Sequence, residues 1–303
     1  MTGAFEQRLA KYDFHLHTYW SYDATVSPER YFVEARRRGL RYLAITDHHV
    51  IDAAQEVDAV AKAYPEITVI RAAELSVTTY IGAVDLLCYG LPRDIPDVLQ
   101  RVFERYHAWQ RETGAALSCG LLALGHDFTE TDRQNLLQSY RPPKTIRYQG
   151  LTHIKNAILQ KHCLERGFIA DVTEYAALLH SARERTHFPP YPGVADVVPA
   201  VKEAGAVVAI AHPYGYFNKH DLDRMDMLRD ECGLDGIECA NPGAVPPEYT
   251  ERYRDYCLAH GLFSVGGSDS HSERDLADRF ARHGGANEWL DGFLDCLPYA
   301  SNR

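Results

Sequence analysis

The 303-residue chain has no run approaching the roughly 20 apolar residues that span a bilayer. Residues 1–8 carry no apolar stretch of signal-peptide length, so a soluble, cytoplasmic protein with no membrane partner is expected. Cys88, Cys119, Cys163, Cys232, Cys239, Cys257 and Cys296 show no Cys-x-x-Cys spacing and are odd in number. They read as reduced core thiols rather than as a disulfide framework. Basic residues are outnumbered, 32 Lys and Arg against 42 Asp and Glu, for a formal net charge of −10. That deficit argues against a large nucleic-acid surface, because phosphate neutralisation needs clustered cations. It leaves room for a local basic pocket beside bound metal ions. Internal repeats and low-complexity tracts are also absent. What remains is an ordinary globular composition, 46% hydrophobic and 24% charged, with enough chain for a sizeable core.

Short apolar runs alternate with amphipathic helical patterns over the first ninety residues. Strands are predicted at 12–16, 42–46, 68–72 and 84–89, with helices at 28–38 and 52–63 between them. Ser27 and Pro28 make a helix start and Gly39 a helix stop. This βαβ rhythm implies a largely parallel sheet or barrel. Residues 94–187 are almost all helical in pattern, with helices at 96–113, 153–166 and 173–183 and a loop at 140–144. The run Phe188-Pro189-Pro190-Tyr191-Pro192-Gly193 closes that stretch. Afterwards the alternation resumes, with strands at 207–211, 236–239 and 263–265 and helices at 195–204, 222–232 and 248–260. One interrupted α/β barrel fits this order better than two independent domains.

The chemistry-bearing residues fall at the predicted strand ends. In Asp13-Phe14-His15-Leu16-His17 the alternation of a strand puts the carboxylate and both imidazoles on one face. Asp47-His48, Glu74, His212 and Glu238 end later strands, and Asp269 and His271 follow the last. Each alone has an ordinary explanation, His212 as a core histidine and Asp269 as a helix cap. Together, at the carboxyl ends of α/β strands where barrels build active sites, they describe a metal site.

In this order Asp13-Phe14-His15-Leu16-His17-Thr18, Ile45-Thr46-Asp47-His48, Ala73-Glu74-Leu75-Ser76, Ala211-His212-Pro213 and Gly267-Ser268-Asp269-Ser270-His271 resemble the polymerase and histidinol phosphatase (PHP) family. The stretch from Ser21 to Pro28 resembles the segment that follows His-x-His in that family. The resemblance implies an α/β fold, a distorted (β/α)7 barrel formed by residues 1–93 and 188–303, with 94–187 inserted as a helical cap subdomain. It also implies three divalent ions, Mn, Fe or Zn, at the carboxyl face. Carried over residue by residue, the first ion takes His15, His17, Glu74 and Asp269, with Glu74 bridging to the second. The second adds His153 and His212, and the third takes Asp23, His48 and His271. Asp47, Glu74 and Asp269 are the catalytic candidates, with Asp47 orienting a ligand from behind. His153 takes its place ahead of its rival His126. His49 is expected to be exposed or to face substrate. Relatives often carry a histidine near Asp85, and its absence leaves that neighbourhood open.

The expected reaction is hydrolysis of a phosphate monoester of a small metabolite, of nucleotide or sugar phosphate type, by metal-activated hydroxide. The helical insertion is expected to set substrate choice. Arg147, Lys155 and Arg183 are candidates to hold phosphate, or else ordinary surface charges. Tyr191, Tyr214, Tyr216 and Phe217 either stack on substrate or pack. Competing readings are a cyclic or linear phosphodiesterase or short-oligonucleotide exonuclease, an amidohydrolase, and a non-catalytic module.

Overall fold

A computed structural model describes residues 9–298, so the expectation for 1–8 lies outside the described residues. Seven strands neighbour one another in chain order: β1 Tyr12–Asp13, β2 Tyr42–Ile45, β3 Thr68–Thr79, β4 Gly82–Tyr89, β5 Val207–Ile210, β6 Gly236–Ala240 and β7 Phe263–Gly266. The backbone around β7 returns to β1. Phe14 N donates to Gly266 O at 3.3 Å, Asp269 N donates to His15 O at 2.9 Å, and Leu16 bridges Ser270 in parallel. The sheet thereby nearly closes into a barrel.

The pairs β1–β2, β2–β3, β5–β6 and β6–β7 are parallel, as the βαβ rhythm requires. β4 departs from the expected parallel order, running antiparallel to both β3 and β5. The cause is a tight hairpin in which Thr79 pairs with Gly82, a glycine at φ 105° that a side chain would strain. β3 therefore runs well past the predicted 68–72, and Glu74 sits in its middle rather than at its end.

Helices α1 (Pro28–Arg38) and α2 (Ala54–Ala61) cross between the first three strands. α1 starts on Ser27, whose side chain accepts from Arg30 N, and stops at left-handed Gly39, as predicted. α3 (Asp97–Ala123) is the longest element, about 40 Å at 1.5 Å per residue. The prediction ended it at Thr113, before Gly114. In the fold Gly114 and Gly120 are contact points: an added Cβ would lie 2.7 Å from Thr152 O and 2.4 Å from Ala182 O. Helices α4 (Glu130–Tyr140), α5 (Pro143–Gln149), α6 (Asn156–Glu165) and α7 (Tyr175–Glu184) follow. They pack with the distal half of α3 around Leu121, Phe128, Leu137, Leu159 and Cys163. The loop expected at 140–144 shrinks to Arg141-Pro142. The helix expected from residue 153 begins only at Asn156, leaving His153 on the irregular segment before it. α8 (Val194–Glu203), α9 (Leu222–Cys232) and α10 (Pro247–His260) complete the outer layer, and α11 (Glu273–Asp278) and α12 (Trp289–Asp295) close the described chain. No helix among the described residues is long and apolar enough to cross a membrane.

Inside the barrel, alternate residues form one apolar cluster that includes Tyr12, Phe14, Ile70, Ala72, Leu87, Tyr89, Phe263 and Val265. Phe293 of α12 packs on Phe14, Tyr89 and Phe263 with centroids 4.7, 5.0 and 5.0 Å apart, plugging the amino end. The same alternation carries Glu74, two places past Ala72, and Asp85, two places before Leu87, to the opposite end.

Candidate metal centre

Glu74 stands at the middle of that carboxyl end, fully buried. Its Oε2 lies 3.0 Å from His15 Nε2, 3.2 Å from His17 Nε2 and 3.2 Å from His48 Nδ1. Its Oε1 lies 3.1 Å from His212 Nε2. Asp269 Oδ1 faces His15, His17 and His271 at 3.4, 3.3 and 3.5 Å. Asp23 Oδ2 lies 3.6 Å from His48 Nε2 and 3.4 Å from His271 Nε2. Residues separated by up to 256 positions, His15 to His271, thus bring five imidazoles and three carboxylates to one spot. Asp269 at φ 52° and His212 at φ 29° hold left-handed backbone, the kind of outlier that clusters at functional sites. Gly267 lets β1 approach, since a Cβ there would lie 2.2 Å from His15 Cβ.

The electrostatics follow from this crowding. Burial works against the Glu74, Asp269 and Asp23 carboxylates being charged, but the surrounding histidines hold all three below the usual carboxylate range. Burial lowers the His15, His212 and His271 imidazoles. Carboxylate neighbours more than reverse it, lifting His212 and His271 to about 9 and His15 well above its ordinary value. The carboxylates here favour positive charge among themselves.

Second-layer contacts set which nitrogen is free. Glu238 Oε1 lies 2.9 Å from His15 Nδ1, while its Oε2 accepts His212 N at 2.6 Å. A proton on His15 Nδ1 leaves Nε2 bare toward Glu74. Asp47 accepts Thr18 N, Ser21 N and Ser21 Oγ on Oδ1 and Thr18 Oγ1 on Oδ2. It acts through Ser21, whose Oγ lies 3.3 Å from His17 Nδ1 and accepts His48 N at 2.9 Å.

Several buried atoms are left without a hydrogen-bond partner: His17 Nε2, His48 Nδ1 and Asp23 Oδ1. Buried polar atoms are seldom orphaned, and both of these imidazole nitrogens face Glu74. Four compact donor groups result among the described residues, with atoms within 4.8 Å of one another: His15, His17 and Glu74; His15, His212 and Asp269; His17, His48 and His271; and Glu74, Asp85 and His212. A nitrogen-and-oxygen donor set without thiolate fits divalent Mn, Fe or Zn.

A PHP domain family model matches residues 13–183, more than half of the chain. The chain belongs to the PHP domain family. Family membership and the donor cluster make it a metal-dependent hydrolase of the phosphoesterase type. Among solved structures it is similar to a candidate metal-dependent phosphoesterase from Bifidobacterium adolescentis ATCC 15703, at 21% identity and TM-score 0.70, over 96% of this chain and 98% of that one. It is also similar to an amidohydrolase from Chromobacterium violaceum, solved with bound sulfate and no metal, at 23% identity and TM-score 0.66, over 87% of this chain and 88% of that one. At these identities the likeness is one of PHP fold. No curated protein matches the chain.

Not every predicted site residue of this PHP chain joins the cluster. Asp13 shares the strand face with His15, yet its carboxylate accepts Ser268 N at 2.9 Å and Ala281 N at 2.8 Å and serves the fold. His153 does not stand with Glu74 and His212. Its ring lies against Tyr22, 3.6 Å between centroids, where it feels the charges of Asp23 and His48. Burial holds it down at about 3. His126 packs on Phe168, 4.5 Å between centroids, away from the centre. His49, expected to be exposed or to face substrate, is buried with Nε2 2.9 Å from Ser76 Oγ and its ring stacked on Tyr106. Arg147 and Arg183 are exposed and Lys155 half-buried, and none makes an ion pair among the described residues. Arg183 lies over Phe188. Phe217 is core, Tyr214 packs on Tyr249, Tyr191 stacks on Trp109, and the Tyr216 hydroxyl donates to Asp85.

Residues that sequence reasoning passed over complete the site. Asp85 sits on an interior position of β4, a signal visible only once β4 is known to be reversed, whereas Glu238, read as a strand end, lies on β6 and backs His15 rather than joining a donor group. Arg141, buried in the predicted loop, donates to Tyr19 O, Trp20 O and Thr152 Oγ1 and also bonds Gln149. It ties the loop before Asp23 to the segment carrying His153.

Proposed function

We propose that this PHP protein hydrolyses phosphate monoesters of small metabolites, of nucleotide or sugar phosphate type, at a centre of three divalent ions. The observation that carries the reading is Glu74 Oε2 within 3.2 Å of three imidazole nitrogens, two of them without a hydrogen-bond partner. His15, His17, Glu74 and Asp269 hold the first ion. Glu74 and His212 hold the second, and Asp23, His48 and His271 the third. Bound there, divalent ions supply Lewis acidity that polarises a phosphoryl group and makes water a competent nucleophile at neutral pH.

The chain's own residues do the rest. Glu238 and the Asp47–Ser21 pair fix the His15 and His17 rings so that their free nitrogens face inward. Arg141 holds the loop that presents Asp23. Residues 94–187 act as a cap over the barrel mouth and select the substrate, with Arg147, Lys155 and Arg183 the candidate cations for its phosphate. The partner is a small phosphorylated molecule rather than a macromolecule.

The test is phosphate release from a panel of mononucleotides, bisphosphates, sugar phosphates, cyclic phosphates and short RNA, using protein stripped of metal and reloaded with Mn²⁺. Turnover of one or more monoesters, lost on chelation, is expected. Turnover confined to cyclic phosphates or RNA assigns the same centre to diester chemistry and overturns the monoester reading.

A further inference from the structure

Seven cysteines are scattered through the chain, and two of them meet. Cys239 on β6 and Cys257 on α10 stand with their sulfurs 3.8 Å apart, both fully buried. No other pair of cysteine sulfurs among the described residues is in contact. The pairing of β6 with β7 slips between Glu238 and Ala240, which makes Cys239 the extra residue of a bulge. Bulges re-aim side chains, and here Cys239 meets α10 while Glu238 turns to His15. The two thiols are not surrounded by hydrocarbon alone. Arg254, three residues before Cys257, donates from Nη1 to Ser264 Oγ at 3.1 Å. Burial works against a thiolate at Cys257, but the Cys239 thiol, the Ser264 hydroxyl and the Arg254 guanidinium hold it below its ordinary value. Cys239 moves the other way, pushed up by burial and by its neighbour. An inert core thiol needs neither a hydroxyl nor a cation beside it.

At 3.8 Å no atom fits between the sulfurs, and a disulfide needs them to close to about 2.05 Å. We propose that Cys239 and Cys257 are a modification site, joined by a hydroperoxide in a reversible disulfide that fastens β6 to α10. The Cys257 thiolate attacks one oxygen of hydrogen peroxide and the O–O bond breaks. The departing hydroxide takes a proton from solvent and leaves as water, and Cys257 becomes a sulfenic acid. The Cys239 sulfur then attacks the Cys257 sulfur, so that the S–S bond forms and the S–O bond breaks. That hydroxide carries away the Cys239 proton as a second water. In sum two thiols give up two electrons and peroxide is reduced to two waters. Both sulfurs are buried, so the reaction waits on a local opening of α10 from β6. Neither cysteine belongs to a donor group, so the bond forms with or without metal in the centre.

In the experiment, full-length reduced protein is freed of metal, so that no metal-borne radical competes, and treated with hydrogen peroxide. Catalase ends the reaction, the remaining thiols are blocked in denaturant, and the peptides are mapped by mass spectrometry. The wild type is expected to lose two of its seven thiols, with one link mapped between Cys239 and Cys257. Dithiothreitol should restore both thiols. The oxidised form should keep its circular dichroism and melt about 5 °C above the reduced form, because the unfolded chain is then closed in a loop. Cys239→Ser should form no link and leave Cys257 as a sulfenic acid that dimedone traps. The wild type carries the test by itself if that variant folds poorly. Cys239 and Cys257 recovered as free thiols, at peroxide levels that oxidise the exposed Cys119 and Cys296, overturn the proposal. So does a link that forms only in protein whose circular dichroism is lost.

Discussion

Asp13 and His17 lie four residues apart at the first strand and are both fully buried, yet they are treated in opposite ways. Asp13, toward the amino end, has its oxygens filled by the amides of Ser268 and Ala281, and beside it His283 bonds Tyr12 O and Gly285 N. Above them an aromatic plug closes the barrel. His17, at the carboxyl end, has one nitrogen beside Ser21 and the other facing two carboxylates without a hydrogen bond. A barrel that can satisfy a buried carboxylate so fully at one end does not leave imidazoles orphaned at the other by poor packing. The difference separates what holds the fold from what the fold holds.

The comparison breaks most sharply at Glu74. Glu74→Gln keeps the volume and removes the charge that gathers His15, His17, His48 and His212. We expect at least about a 10³-fold loss of phosphate-releasing turnover in the metal-loaded protein. The stripped variant should unfold more easily than stripped wild type, because the histidines that Glu74 holds toward the charged form lose a buried partner. Turnover that survives in the folded, metal-loaded variant would show that Glu74 serves the fold alone.

Phe293→Ala is the mirror experiment. The ring fills the amino end among Phe14, Tyr89 and Phe263, so the lost burial and the cavity should cost about 3–5 kcal/mol of stability in urea unfolding. The folded fraction should bind as many metal ions as wild type. Loss of metal binding in the folded protein would mean that the two ends are coupled.

How much of this was visible beforehand differs between the same two regions. The ligand strings at the mouth are short and local, and His15, His17, Glu74, His212 and Asp269 could be read without knowing their neighbours. The strand order also followed from the βαβ rhythm. What could not be read depended on distant approach. The helix read as ending at Thr113 runs on through Gly114 and Gly120, whose missing side chains let Thr152 and Ala182 approach. The hairpin at Gly82 reversed β4 inside a pattern that read as another parallel strand, which hid Asp85. Arg141 looked like loop because a buried guanidinium is recognisable only by the carbonyls that surround it. His153 was placed by analogy with a neighbouring ion, and the irregular chain before α6 sets it beside Tyr22 instead.

Glu238 sharpens the comparison from the side of the second layer. It touches His15 Nδ1 and His212 N but is removed from the open side of the centre. Glu238→Gln should leave turnover measurable at saturating metal and weaken metal binding by about 10–100-fold, read by titration calorimetry. Unchanged affinity would show that the His15 ring is fixed by packing alone.

The smallest effect tests a paired acid outside both ends. Glu34 on α1 is held down at about 2, chiefly by the Arg37 guanidinium and also by Arg38, against the opposing effect of burial. A carboxylate whose folded value is depressed adds stability that is complete above its ordinary value of 4.5 and is lost as pH falls toward 2. Arg37 is 66% exposed, so solvent screening limits the gain to about 1 kcal/mol. Urea midpoints of wild type and Glu34→Gln, both stripped of metal, should differ by that amount at pH 6 and converge toward pH 3. Because the ligand carboxylates titrate alike in both proteins, the difference isolates Glu34. A pH-independent difference would mean that this pair contributes packing rather than charge, and partnered charge would then be no better than orphaned charge at holding the fold.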